Sequence, residues 1–352
     1  MIHLPTYIKG RGAQINPPNP FEELIYDEDP TANLDQEEPL RTEYISVYPK
    51  TMINKVPSPD IPLDWSLNPY QGCEHGCVYC YARNTHPYWG YSAGTEFEQK
   101  ILVKQDAAKL VEEKIKHPKW KAAPLMLSGN TDCYQPIEKK LEITRRILEV
   151  LWKYRHPVGI ITKNSLVLRD LDILRQMAEK DLVHVAISLT TLDEDLRRKL
   201  EPRTASVHNR LHAIEKLSAN GIPVNVMFAP IIPGLNDQEI FKVAEWTSKL
   251  GARSMGYTMV RLNGDVAQIF EDWIRKVFPD RADKVMNKIK DCHGGQTNDH
   301  RFGKRMRGEG NYAEIIRSQF KLAKNKYFSD RTTPAYNLEL HEQIKHPQLR
   351  LF

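Results

Sequence analysis

VGIITKNSLVLRDLDILRQMAEKDLVHVAISL (158–189) consists of a short apolar run, an amphipathic stretch and a second apolar run. VGIITK (158–163) and VHVAISL (183–189) are rich in Val and Ile and too short for helices, so both read as buried strands. Between them LRDLDILRQMAEK (168–180) spaces its apolar residues at helical intervals. Continuous apolar strands joined by a helix imply parallel strands covered on their outer face.

The alternation extends in both directions. Upstream, APLMLSG (123–129) precedes one helix over EKKLEITRRILEVLWKYR (138–155), with Leu141, Thr144, Leu148 and Leu151 on one face. Downstream come DEDLRRKL and VHNRLHAIEKLSANG, the second stopped at Gly221. IPVNVMFAPI (222–231), QEIFKVAEWTSKLG (238–251) and ARSMGYTMVRL (252–262) close the series. With the segment before Cys73 as a first strand, about six βα units result. Right-handed crossovers curl such units into a barrel or part of one. Periodicity alone does not separate a partial barrel from a doubly wound sheet.

Three regions follow from this pattern. Residues 1–60 form an extended N-terminal arm, 61–263 an α/β core and 264–352 a helical C-terminal extension. Residues 21–39 carry eight Asp/Glu and no Lys/Arg, so the arm reads first as a solvated linker, partly mobile, draped on the body or free. The 352 residues, 41% hydrophobic, suffice for a large core and exclude the disordered and fibrous classes. A net charge of +5 permits a polyanionic partner without requiring one. No run approaches a membrane span, and the N-terminus lacks a secretory h-region, so a soluble cytoplasmic protein is expected.

Five cysteines in a chain this long make no disulfide scaffold, and three of them crowd into SLNPYQGCEHGCVYCYARN (66–84). The spacing Cys73-x3-Cys77-x2-Cys80 puts three thiolates on one short loop. They can bind three irons of a cubane and leave the fourth iron without a protein ligand. Gly72 and Gly76 let the loop wrap closely. A structural zinc site is the competing reading. It needs a fourth ligand such as His75, which sits at a spacing unlike paired zinc knuckles.

C-x3-C-x2-C with an aromatic, Tyr79, before the last Cys, after the first strand of a βα series, resembles the radical S-adenosylmethionine (SAM) superfamily. CVYCYAR (77–83), SGNTDCYQP (128–136), ITKN (161–164) and AISL (186–189) resemble its spore photoproduct lyase branch, and KGRG (9–12) and RFGKRMRGEGNYAEII (301–316) an uncharacterised subgroup of it. The resemblance implies a partial (β/α)6 TIM-type barrel, one [4Fe–4S] cluster on Cys73, Cys77 and Cys80, and SAM on the open iron. It implies reductive SAM cleavage, a 5′-deoxyadenosyl radical that abstracts hydrogen, and an external reductant of flavodoxin or ferredoxin type.

Carried over by that resemblance, Tyr79 and Tyr81 flank the cluster, one of them near adenine. Thr131 and Lys163 end the second and third strands and meet the methionyl carboxylate. Ser188 meets the same group or the ribose, and Ala229 offers backbone contacts to adenine. Glu201 and Arg203 bind ribose or the SAM carboxylate, or pair locally at a helix end. Asp132 orients its loop. Cys133 at the second strand invites a role as hydrogen-atom donor. The lyase's donor aligns nearer Gly129, so Cys133 reads first as a buried structural cysteine and dimer repair is in doubt. Cys292, His293 and His300 do not make a second cluster motif. Arg301, Lys304, Arg305 and Arg307, interleaved with Phe302, suit a nucleic-acid backbone or pair with nearby carboxylates. The substrate is therefore a nucleic acid, or else a peptide or small metabolite. The non-enzymatic alternative is an iron–sulfur or zinc binding module without SAM chemistry.

Overall fold

The computed structural model describes residues 7–21, 41–61 and 63–345. Its strands are β1 (Glu43–Val47), β2 (Ile53–Lys55), β3 (Trp65–Leu67), β4 (Tyr70–Gln71), β5 (Lys100–Lys104), β6 (Leu125–Leu127), β7 (Val158–Thr162), β8 (Val183–Ser188), β9 (Val224–Ile231) and β10 (Ser254–Met259). Its α-helices begin with α1 (Glu96–Gln99), α2 (Ala107–Lys116), α3 (Glu138–Leu141), α4 (Ile143–Lys153), α5 (Leu171–Ala178) and α6 (Glu194–Leu200). They continue with α7 (Val207–Ala219), α8 (Ile240–Lys249), α9 (Val266–Val277), α10 (Ala282–Asp291), α11 (Asn311–Phe328) and α12 (Glu339–Lys345). None of them is long and apolar enough to cross a membrane.

The main sheet has the order β10-β9-β8-β7-β6-β3-β2. Every pairing is parallel except β2 with β3. From β3 to β10 the spatial order repeats the chain order, without the reversal that marks a doubly wound sheet. The outer strands β10 and β2 do not pair with each other, so this is the expected partial barrel, left open. Alternation along the strands assigns the faces. Val183, Val185 and Ile187 on β8, with Val224, Val226 and Phe228 on β9, are buried in one core. His184, Ala186, Asn225 and Met227 are half-buried and face the other side.

The C-terminal chain fills the lower part of that other side. Tyr336 stacks on His184 with ring centroids 4.0 Å apart, and Thr333 Oγ1 donates to Asn225 Oδ1 at 3.1 Å. A Cβ on Gly159 would come within 2.9 Å of the Tyr336 hydroxyl.

Two features depart from the sequence reading. The helix expected over 138–155 is broken at Glu142, whose φ of 51° is left-handed. The break lets the buried Glu138 carboxylate accept the Thr144 N–H at 3.1 Å, the Tyr70 hydroxyl at 2.5 Å and Arg169 Nη2 at 2.8 Å. The segment expected as an arm also supplies structure. β1 pairs in parallel with β5, whose other neighbour is β4, and β2 edges the main sheet. The acidic stretch of residues 22–39 lies outside the described residues.

Candidate active site

The cysteine loop leaves β4 and crosses the open end of the sheet, where β6, β7 and β8 finish. Left-handed Gly72 and Gly76, with φ of 78° and 66°, shape it. A Cβ on Gly72 would stand 2.7 Å from the Lys100 carbonyl, so the close course requires glycine there. Cys73 and Cys77 are buried and Cys80 half-buried. Cys80 packs against the apolar clusters that hold Cys77 and Cys73, which brings the three side chains into one neighbourhood. Among the described residues, no three His, Cys, Asp or Glu groups converge tightly enough for a single metal ion. Thiolates that each take a different iron need not converge that far.

Burial, reinforced by Glu201, pushes the Cys77 thiol well above its ordinary value, and burial pushes Cys80 up as well. Thiolates at such depth require a cationic partner, which iron supplies. The donor set and its surroundings therefore fit an iron–sulfur cluster.

Lys163 ends β7 beside this loop. Burial works against its charge, but Cys77 and Glu201 outweigh burial and raise its pKa. Its ammonium lies 5.9 Å from the centre of the Tyr79 ring. No carboxylate stands at ion-pair distance from it among the described residues. Asp132 fastens Lys163 to the loop. One carboxylate oxygen accepts the Lys163 N–H at 2.8 Å and lies 3.3 Å from His75 Nδ1, and the other accepts Thr162 Oγ1 at 2.8 Å. Burial alone would raise the Asp132 pKa, yet His75 and these hydrogen bonds hold it at about 2. His75 Nε2 meets Asn164 Nδ2 at 3.3 Å, and the ring also interacts with the Cys73 thiol.

Glu201 is fully buried and its oxygens are occupied. The Tyr79 hydroxyl donates to it, Thr190 Oγ1 donates at 2.7 Å, and Arg210 Nη2 pairs at 2.5 Å. Burial opposes the charge, but Arg210 and Lys163 hold the pKa at about 2. Arg210 also donates to the Ser188 carbonyl at 3.0 Å, tying the end of β8 to the same pair. Arg203 is not Glu201's partner. It turns to Glu74 Oε1 at 3.4 Å and Thr42 Oγ1 at 3.3 Å, and its N–H donates to the His75 carbonyl.

The other expected residues divide in two groups. Thr131 is buried and its hydroxyl donates to the Tyr70 carbonyl at 2.7 Å. Ser188 ends β8 and Ala229 lies late in β9, its carbonyl 3.1 Å from Thr190 Oγ1. Tyr81, by contrast, is 55% exposed at the rim, with its hydroxyl on the Gly129 carbonyl. Cys133 is fully buried in the main core, where burial pushes its thiol pKa well up. Cys292 is buried in the same core, while His293 Nε2 meets the Val260 carbonyl at 2.8 Å and His300 meets Asn298.

The basic run is largely neutralised. Arg301 pairs with Asp299 at 2.6 Å and with Glu309, Lys304 with Glu309 at 2.8 Å, and Arg305 with Asp60 at 2.5 Å. Sequence reading did not find Arg210, nor the Arg83–Glu98 pair behind the loop. Their partners lie on other elements, and nothing in the local pattern marks them.

Residues 67–247 match the family model described as the Radical SAM superfamily. The chain belongs to the radical SAM superfamily. As a radical SAM enzyme it is 32% identical over 234 residues to the uncharacterized protein Rv2578c of Mycobacterium tuberculosis, covering 66% of this chain and 69% of that one. It is 30% identical over 250 residues to the uncharacterized protein MJ0683 of Methanocaldococcus jannaschii, covering 70% of this chain and 88% of that one. Among solved structures it resembles spore photoproduct lyase complexed with dinucleoside spore photoproduct. The TM-score is 0.59 at 16% identity, over 81% of this chain and 79% of that chain. That likeness establishes the shared fold.

Proposed function

We propose that Cys73, Cys77 and Cys80 hold one [4Fe–4S] cluster, and that SAM lies across the adjacent strand ends. Such a cluster supplies the electron that cleaves the SAM sulfonium, giving a 5′-deoxyadenosyl radical for hydrogen abstraction. A flavodoxin or ferredoxin provides that electron. The observation that carries the reading is Lys163 at the end of β7, its ammonium 5.9 Å from the centre of the Tyr79 ring and with no carboxylate at ion-pair distance among the described residues. It suits the methionyl carboxylate, to which a charge-assisted hydrogen bond is strong. Thr131 follows β6, Ser188 ends β8 and Ala229 lies late in β9, positions suited to SAM, and the exposed Tyr81 would stand beside the adenine or the substrate. Glu201, with both oxygens taken, serves by fixing Tyr79. Arg203 holds the cysteine loop through Glu74 and the His75 carbonyl.

Anaerobic reconstitution tests the cluster. About four irons and four sulfides per chain, with no zinc as isolated, are expected. Zinc bound in place of iron overturns the reading.

For the substrate, a nucleic acid is the first reading, prompted by the dinucleoside spore photoproduct in the similar lyase structure. The basic run no longer supports it, because three of its four cations are paired, and this favours the second reading, a peptide or small metabolite. Binding of a fluorescent single-stranded oligonucleotide at rising salt separates them. Affinity that falls steeply with salt supports nucleic acid, and absence of binding at low salt supports the second reading.

A further inference from the structure

Residues 8–19 run behind the cysteine loop, in close approach at Gly12 and Gly76, and are held there through Glu98 of α1. The Glu98 carboxylate accepts the N–H of Gly12 at 3.1 Å and of Ala13 at 2.8 Å, and Arg83 Nη2 at 2.5 Å. Arg83 donates in turn to the Cys77 carbonyl at 3.0 Å and the Gly94 carbonyl at 2.8 Å. Glu98 and Arg83 are both fully buried. Removing two charges from water costs more than a single pair recovers unless the remaining donors and acceptors are satisfied, as they are here. Such a pair contributes position more than stability.

The approach of the segment is extreme at Gly12. A Cβ there would stand 1.7 Å from the Gly76 carbonyl oxygen, the residue before Cys77. A Cβ on Gly76 would meet the Glu98 carboxylate at 2.7 Å. Ala13 is fully buried in a cluster that includes Cys77 and Tyr79. Farther along, Ser92 Oγ donates to the Pro17 carbonyl at 2.6 Å and Thr95 Oγ1 to Asn16 Oδ1 at 2.9 Å. The KGRG sequence is thus explained from Arg11 onward: Arg11 Nη1 reaches the Glu98 carbonyl at 3.1 Å, and Gly12 permits the contact with Gly76.

We propose that this strap, latched on Glu98, is a positioning element for the cofactor. It holds the Gly76–Cys77 turn in the course that presents the three thiols together, and it keeps water from the back of the loop. The assignment of Cys73, Cys77 and Cys80 as ligands underlies what the loop is for, while the latch is read from the strap's own contacts. Solvent exposure and nearby hydrogen bonds govern the stability and potential of such clusters, so the latch also governs cluster lifetime.

Hydrogen exchange of metal-free protein tests the latch directly. Wild type, Gly12→Ala and Glu98→Gln are compared for peptides spanning residues 72–81, with peptides from α4 and α7 as internal references. Exchange in 72–81 is expected to rise roughly tenfold in either variant, with α4 and α7 unchanged. After anaerobic reconstitution, visible absorbance in air is expected to decay several-fold faster in the variants. Wild-type exchange and wild-type lifetime in both variants overturn the proposal. So does a uniform rise that includes α4 and α7, because the strap would then hold the whole body rather than the loop. If wild type takes up no iron, the ligand assignment fails, while the exchange comparison still decides the latch.

Discussion

Two regions of this molecule are dense in charge, and they use it in opposite ways. Around the cysteine loop, Glu201–Arg210 and Glu98–Arg83 are fully buried pairs, each joined to several further hydrogen-bond partners. In the segment 299–309, Arg301 and Lys304 are 55% and 49% exposed and share Glu309. The buried pairs fix backbone carbonyls at Ser188, Cys77 and Gly94, while Lys163 has no carboxylate at ion-pair distance among the described residues. The exposed set neutralises itself. Number of charges therefore says little about where a ligand binds; what matters is whether a charge has already been matched.

Breaking a buried pair is expected to have the largest effect on the fold. Arg210→Met strands Glu201 without its partner and costs about 3–5 kcal/mol, read as a lower urea midpoint. Next comes Lys163→Met, expected to weaken SAM binding by about ten- to a hundredfold while iron content stays at the wild-type level, measured by equilibrium dialysis against iron analysis. The acid limb gives a third contrast. The Glu201 pKa is depressed from 4.5 to about 2, so its contribution is complete above pH 4.5 and is lost as pH falls from there towards 2. Glu201→Gln flattens that limb in acid denaturation, and an unchanged limb would mean that the pair does not anchor the site. Smallest is the exposed set. Arg301→Ser and Lys304→Ser should leave the urea midpoint unresolved from wild type, since exposed pairs contribute little.

The βα series and the cysteine loop were legible because period and spacing are local properties. The strand ends carrying Thr131, Lys163, Ser188 and Ala229 follow from the same series. The break at Glu142 was not legible, since glutamate favours helix and no Gly or Pro interrupts 138–155. Its cause is tertiary: Tyr70 and Arg169 converge on Glu138 from other elements. Likewise the partner of Glu201 is not Arg203, two residues on, but Arg210 from α7. The strap eluded the sequence reading for the same reason. Residues 8–19 have no periodicity, and Gly12 finds Glu98 only across 86 positions of chain.

We infer that the cysteine loop and its surroundings form a working SAM-cleaving site. Its most direct test is 5′-deoxyadenosine formed from SAM by the anaerobically reconstituted, dithionite-reduced protein, quantified by chromatography beside Cys77→Ala. Wild type is expected to form product, and Cys77→Ala none above background. A wild-type protein with its full iron content and no 5′-deoxyadenosine would contradict it.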